Sequence, residues 1–208
     1  MKKKLLITGF DPFGGESVNP AFEAVRLLPD EIAGFKLCKL EIPTEFIRSG
    51  VILKGALRTE QPDTVLCVGQ AGGGTAVTPE RVAINLMDAR IPDNTGYQPI
   101  DEPIAPDGPA AYFSTLPVKA IAERIQSAGL PAVVSNTAGT YVCNNLLYTL
   151  LHTAALEYPG LRGGFLHVPY AIEQLPGKPG DTFGMKLCDI SRALTCAVEA
   201  IAEHLLER

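Results

Sequence analysis

Residues 131–152 read P-A-V-V-S-N-T-A-G-T-Y-V-C-N-N-L-L-Y-T-L-L-H, and this stretch decides how the rest of the chain is read. The apolar run Ala132–Val134 predicts a short strand and Ser135–Thr140 a small, polar turn. Leu146, Leu147, Leu150, Leu151, Ala154 and Ala155 then recur on one helical stripe. Cys143 falls where that helix begins. There a thiol meets backbone N–H groups without intrahelical partners and the positive end of the macrodipole, and both favour the thiolate. Cys143 is also in register with Leu147 and Leu150, so it equally fits the first core position of an ordinary amphipathic helix. Its neighbours in space must decide.

Working outward, the chain alternates strands and helices. Lys4–Thr8 reads as a strand that runs into G-F-D-P-F-G-G-E-S-V-N-P, and Asn19-Pro20 marks a helix start continuing to about Leu28. Phe35–Ile42 predicts a second strand, Glu45–Leu57 a helix, and Thr64–Val68 a third strand entering Gly69-Gln70-Ala71-Gly72-Gly73-Gly74. This βαβαβ order predicts one α/β domain over residues 1–208, a three-layer αβα sandwich around a mostly parallel twisted sheet. Val82, Ile84 and Leu86 share the parity of a half-buried strand, and Glu80 shares it too. Either the strand reaches back and turns a carboxylate toward the apolar side, where it needs a partner, or Pro79 breaks the strand and Glu80 pairs with Arg81 at the surface. Ile91–Pro117, rich in Pro and Gly, reads as an irregular excursion of the kind that covers a site or joins subunits. A helix over Val118–Ala128, a last strand over Gly164–Val168, and a terminal helix with the stripe Ile190, Leu194, Val198, Ile201 and Leu205 complete the reading.

Composition narrows the function classes. The 208 residues are 46% hydrophobic with a net charge of −5, and no Lys/Arg cluster occurs beyond Lys2–Lys4. That argues against nucleic acid as a partner. The apolar run after those lysines stops at Ile7, too short for a secretory signal, and nothing approaches a membrane span. Cys38, Cys67, Cys143, Cys188 and Cys196 are an odd number with no C-x-x-C spacing, which predicts a reduced, cytoplasmic protein without a cysteine metal site.

A cysteine nucleophile needs a base, and the chain has three histidines. His152, nine residues along the same helix, faces the opposite way about 13 Å further on, and reads as a solvated residue. His204 flanks the stripe of the terminal helix as a surface residue. His167 remains, in G-G-F-L-H-V-P-Y, at the end of an apolar strand. Sites in open α/β sheets form beyond the carboxyl ends of the strands. Gly9-Phe10, Gly69-Gln70, Ser135–Cys143 and His167 are all strand-end segments by this reading, so four loops converge on one mouth. Glu80 is the best candidate to hold the histidine's second nitrogen, with Asp11, Asp88 and Asp93 left open.

G-F-D-P-F-G-G, V-N-P at Val18–Pro20, V-G-Q-A-G-G, T-P-E-R-V-A-I-N-L, A-R-I-P-D-N, S-N-T-A-G-T-Y-V-C-N and G-G-F-L-H-V-P-Y follow one another from Thr8 to Tyr170. Together they resemble the pyrrolidone-carboxylate peptidase family, the type I pyroglutamyl peptidases. The resemblance implies Cys143 as nucleophile, His167 as base and Glu80 as the residue orienting it. It also implies a cytoplasmic enzyme that takes N-terminal pyroglutamate (5-oxoproline) from peptides through a thioacyl intermediate, without cofactor or metal, as a homo-oligomer, by resemblance a tetramer. Substrate-binding positions carry over onto Phe10, Phe13, Asn19, Gln70, Arg90, Ile91 and Val142. Tyr141 stands where related sequences often have Phe.

A neutral lactam asks for apolar walls and a few aimed hydrogen bonds. Phe10 and Phe13 supply walls unless they pack as core beneath their loop, and Asn19 and Gln70 supply amides. Arg90 reads either as a helper at the oxyanion or as a plain surface cation. Two glycine-rich loops after strands also suggest a nucleotide site, but neither contains G-x-G-x-x-G or a terminal G-K-[ST]. An amidase for a charged substrate, or a non-catalytic scaffold that oligomerises through the 91–117 excursion, would also be compatible with the residue pattern alone.

Overall fold

The computed structural model describes residues 2–206. In chain order its elements are β1 (Lys3–Phe10), α1 (Pro20–Arg26), β2 (Glu31–Ile32), β3 (Phe35–Ile42), α2 (Phe46–Glu60), β4 (Thr64–Gln70), β5 (Thr78–Glu80), β6 (Val82–Ile84), β7 (Ala111–Phe113), α3 (Val118–Ser127), α4 (Val142–Glu157), β8 (Arg162–Val168), β9 (Tyr170–Ala171), β10 (Gly184–Met185) and α5 (Leu187–Leu206). Six strands form one sheet in the order β2-β3-β1-β4-β8-β5. The four central strands are parallel, and the antiparallel strands β2 and β5 close the two edges.

Both faces of this sheet are covered, which is why its central strands read as nearly continuous apolar runs. Leu5, Ile7, Leu66, Val68, Leu166 and Val168 point to one side and pack with side chains of α1, α3 and α5. Leu6, Phe10, Val65, Cys67 and Phe165 point to the other and pack with α2 and α4. The expected three-layer sandwich is thus present. Gly9 sets how closely α1 docks, because a Cβ there would lie 2.5 Å from the Phe22 backbone.

Several local expectations change. Ala132–Val134 does not join the sheet as a strand; it runs beside β5 through isolated bridges, Val77 to Ala132 and Glu80 to Ser135. The partner edge is three residues long and contains Pro79, which has no N–H to continue a ladder. Pro79 does not break β5, since an edge strand tolerates it, and Glu80 is inside the sheet edge rather than paired with Arg81. After Glu80 the chain leaves the sheet, and β6 pairs instead with β7, which lies within the 91–117 excursion. The parity of Val82, Ile84 and Leu86 therefore misassigns the buried face: Ala83 is the buried residue. His152 is not a solvated side chain. Its Nδ1 lies 2.9 Å from the Tyr112 hydroxyl, and its ring stacks on Tyr148.

Candidate active site

Parallel strands put their carboxyl ends on one edge of the sheet, and there a cavity of about 740 Å³ opens. The ends of β1, β4 and β8, the start of α4 and the turn before it all line it. β8 lies between β4 and β5, with His167 level with Gly69 on one side and Thr78 on the other. Glu80 is paired with Phe165, two residues before His167, so Glu80 and His167 are diagonal neighbours on one sheet face. The His167 Nδ1–H donates to Glu80 Oε1 at 2.8 Å. The Thr78 hydroxyl donates to the same oxygen at 3.1 Å. Glu80 and His167 are both buried, which makes their pairing obligatory.

With Nδ1 committed to Glu80, Nε2 is the nitrogen left for a thiol. Cys143 is the second residue of α4, whose N-cap is Tyr141. Its sulfur lies over Gly69, the residue level with His167; a Cβ on Gly69 would come within 2.9 Å of Cys143 Sγ. Burial alone would keep His167 neutral, but the charge and hydrogen bond of Cys143 and those of Glu80 outweigh it, raising the ring pKa from 6.5 to about 10. The ring is thereby held toward its protonated form by the partners on its two sides. Cys67 shows the contrast: it is wholly buried on β4, and desolvation pushes its thiol up to about 12. The first N–H groups of α4 have no intrahelical acceptors and face the end of the helix where the thiol sits.

The aspartates near the cavity have different work. Asp93 accepts hydrogen bonds from the backbone N–H groups of Phe46, Thr95 and Tyr97 and from the Thr95 hydroxyl. Burial opposes its ionisation, yet these bonds hold its carboxyl below the ordinary range. It pins the 93–97 turn to the start of α2. Asp11 receives the Thr44 N–H at 2.7 Å, and Asp88 is exposed. Among the described residues no three His, Cys, Asp or Glu side chains gather where they would hold a metal.

The cavity beyond the thiol is walled by aromatic rings. Phe13 and Tyr141 have centroids 6.1 Å apart, and Tyr141 meets Phe46 edge-on at 5.3 Å. The Tyr141 hydroxyl donates to the Pro92 carbonyl at 3.0 Å, tying this wall to the loop carrying Ile91. Phe10 lies beneath, almost fully buried and near Phe165.

The sequence profile of the pyroglutamyl peptidase family matches residues 3–204, from the start of β1 into the last turn of α5. The chain belongs to that family. It is 57% identical over 201 residues to pyrrolidone-carboxylate peptidase 1 of Streptococcus pneumoniae, covering 97% of this chain and 94% of the other. With the pyrrolidone-carboxylate peptidase of Levilactobacillus brevis it shares 57% identity over 198 residues, 95% of this chain and 97% of the relative. Among solved structures, Bacillus amyloliquefaciens pyroglutamyl peptidase I superposes with a TM-score of 0.94 at 49% identity, covering 98% of each chain. Pyrrolidone carboxyl peptidase of Thermococcus litoralis also gives 0.94, at 40% identity over 100% of this chain and 96% of that one.

Within this member of the family, Glu80, Cys143 and His167 come together, and Phe10, Phe13, Asn19, Gln70, Arg90 and Ile91 all line the cavity. Val142 does not. Its side chain is fully buried in the core between α4 and the sheet, because the first position of α4 points inward. Asn19 reaches the cavity, but its amide is engaged at both ends: Oδ1 caps α1 by accepting the Ala21 N–H, and Nδ2 donates one N–H to the Asp11 carbonyl.

Asn144 and Asn145 escape the sequence reading. Buried Asn144 bonds to the N–H and C=O of Ile84 and the C=O of Leu86, and Asn145 donates to the Phe46 carbonyl at 2.6 Å. Together they fix the start of α4, and so Cys143, to β6 and α2. Two amides in the first turn of an apolar helix are the available signal, since buried amides require partners.

Gly69 tests the packing of the thiol directly. A Cβ there would also lie 2.7 Å from the Phe165 ring, so Gly69→Ala must displace the ring, the sulfur, or both. We expect a destabilisation of about 1–3 kcal/mol in thermal or denaturant unfolding. Slower alkylation of Cys143 by iodoacetamide should accompany it.

Proposed function

We propose that this chain removes N-terminal pyroglutamate from peptides as a cysteine peptidase, with Cys143 as nucleophile, His167 as acid and base, and Glu80 as the residue that orients His167. The observation that carries this reading is the Glu80–His167 hydrogen bond beside a cysteine at a helix N-terminus, opening into an aromatic-walled cavity. The Cys143 thiolate attacks the pyroglutamyl carbonyl carbon, and the carbonyl electron pair moves to oxygen. Backbone N–H groups at the start of α4 stabilise that oxyanion, each such donor typically contributing about 3 kcal/mol. As the C–N bond breaks, His167 gives its Nε2 proton to the departing amine. Water then attacks the thioester, His167 takes its proton, and 5-oxoproline leaves as the thiolate is restored.

The Phe13 and Tyr141 rings flank the lactam, and the Gln70 amide marks its carbonyl. The Asn19 side chain acts by fixing the first loop, and Val142 through its backbone. Arg90, which is exposed and forms no ion pair among the described residues, stands at the mouth beside the peptide's path. Competition between a pyroglutamyl anilide and the prolyl anilide tests the reading. The lactam should be favoured on the order of 10⁴-fold in kcat/KM, because the prolyl ring leaves the site's polar groups unpaired. Comparable turnover of both would overturn it.

The same reading includes a cytoplasmic homo-tetramer. Five unpaired cysteines suit a reducing compartment, and the exposed Ile100 and Phe113 of the 91–117 excursion suit a contact between copies. Light scattering coupled to gel filtration gives the subunit number.

A further inference from the structure

The segment after β8 lines the cavity through Tyr170 and carries one buried polar side chain that the chemistry above does not use. Gln174 closes a short 3₁₀ turn (Ile172–Gln174) and is buried. Its Oε1 accepts the Ala171 N–H at 3.0 Å, which fixes which end of its amide is which. Its Nε2 must then be the donor. It donates to the Val18 carbonyl at 3.1 Å and to Gln70 Oε1 at 3.0 Å, with Glu16 Oε2 at 3.5 Å.

The consequence falls on Gln70. This residue ends β4, level with Val168 and one position beyond the Gly69–His167 pair, and it lines the cavity. Its Oε1 is occupied by Gln174, whereas its Nε2 has no protein acceptor among the described residues. A backbone N–H therefore determines the orientation of Gln174, and Gln174 determines that of Gln70. The outcome leaves the NH₂ of this cavity-lining Gln70 side chain, rather than its carbonyl, without a protein partner among the described residues.

We propose that Gln174 is a positioning residue for substrate selection: it locks the Gln70 amide with its NH₂ toward the cavity, where it recognises the ring carbonyl of a lactam. The inference rests on the pyroglutamyl reading above, and it explains how the site distinguishes a five-membered lactam from the saturated proline ring, which offers no acceptor. Lys178 steadies the same strap from outside, through a 2.6 Å ion pair with Glu16 and a seat over the Tyr170 ring.

Two substitutions at Gln174, read together with a double variant at Gln70, separate this role from simple packing. Gln174→Glu keeps an acceptor for the Ala171 N–H but loses the donor, so Gln70 turns its NH₂ toward the new carboxylate and its carbonyl toward the substrate. Gln174→Leu abandons every hydrogen bond but leaves Gln70 free to choose either orientation. Steady-state hydrolysis of the pyroglutamyl anilide should show KM raised about tenfold or more in Q174E and by a smaller factor in Q174L. In both, kcat should stay within about threefold and iodoacetamide should alkylate Cys143 at the wild-type rate. Adding Q174E to Gln70→Leu should raise KM no further. Because Q174E also sets a carboxylate against Glu16 Oε2 and the Val18 carbonyl, the double variant with Gln70→Leu and the kcat and alkylation readouts carry the distinction from a structural role. Q174L raising KM more than Q174E, additive effects with Gln70→Leu, or a fall in kcat and alkylation at unchanged KM would overturn the proposal. Wild-type turnover of the anilide is read in the same assay, so failure of the pyroglutamyl reading shows itself separately.

Discussion

Replacing Cys143 by alanine lowers kcat for a pyroglutamyl anilide by about 10⁴-fold or more, leaving substrate affinity nearly intact. The size follows from removing the proposed nucleophile, while the aromatic walls and the Gln70 amide proposed to bind the lactam are left in place. A second effect follows from the electrostatics. Burial works against protonation of His167, and the charge and hydrogen bond of Cys143 lead the contributions that overcome it. In Cys143→Ala the imidazole should titrate well below about 10, nearer its ordinary range, as read by NMR of labelled histidine. The buried Cys67 should not substitute as a nucleophile, because its thiol is held up to about 12 by desolvation. Retention of activity in the variant would place the chemistry elsewhere.

Glu80→Gln is expected to cost about 10³–10⁴-fold in kcat, since an amide can hold the wrong tautomer of His167 as readily as the right one. It should also move the alkaline side of the pH profile. Among the effects that raise His167 from 6.5 to about 10, Glu80 contributes a hydrogen bond and a charge, after those of Cys143. Loss of that carboxylate charge brings the alkaline limb to lower pH. The linkage has a definite sign: a raised pKa in the fold means that protonated His167 stabilises the protein fully below about 6.5. That contribution disappears as pH rises through about 10. Thermal unfolding across this window should therefore fall less with pH in Glu80→Gln than in the wild type. An unchanged alkaline limb would show that Glu80 does not set the charge of His167.

The layers of the fold are legible because both sheet faces are buried and each βα unit announces its own turn. Parity fails where the chain leaves the sheet: Val82, Ile84 and Leu86 alternate as an ordinary strand would, yet Val82–Ile84 belongs to a two-stranded ribbon with β7. No local pattern distinguishes those two destinations. The Ala132–Val134 run has strand composition but meets an edge interrupted by Pro79, so this stretch gains isolated bridges rather than a ladder.

In the site, the histidine can be selected by elimination, since helix geometry removes His152 and position disfavours His204. The acid cannot. Asp93 and Glu80 are both buried carboxylates, and only the register of β5 against β8 makes Glu80 the neighbour of His167 while Asp93 faces the start of α2. The amide of Asn19 suggests a ligand contact, whereas the cap of α1 claims it. Gln174 gives no sequence signal, because its role depends on contacts with Val18 and Gln70, far away along the chain.

The central claim is that Cys143 is the group acylated by the substrate. The most direct test is inactivation by a chloromethyl ketone built on 5-oxoproline, followed by peptide mapping in a mass spectrometer. The thiolate displaces chloride to form a stable thioether. The account predicts one adduct per chain, at Cys143, with free 5-oxoproline protecting and His167→Ala slowing the reaction. An adduct at Cys38, Cys188 or another side chain, or labelling that 5-oxoproline does not slow, would contradict it.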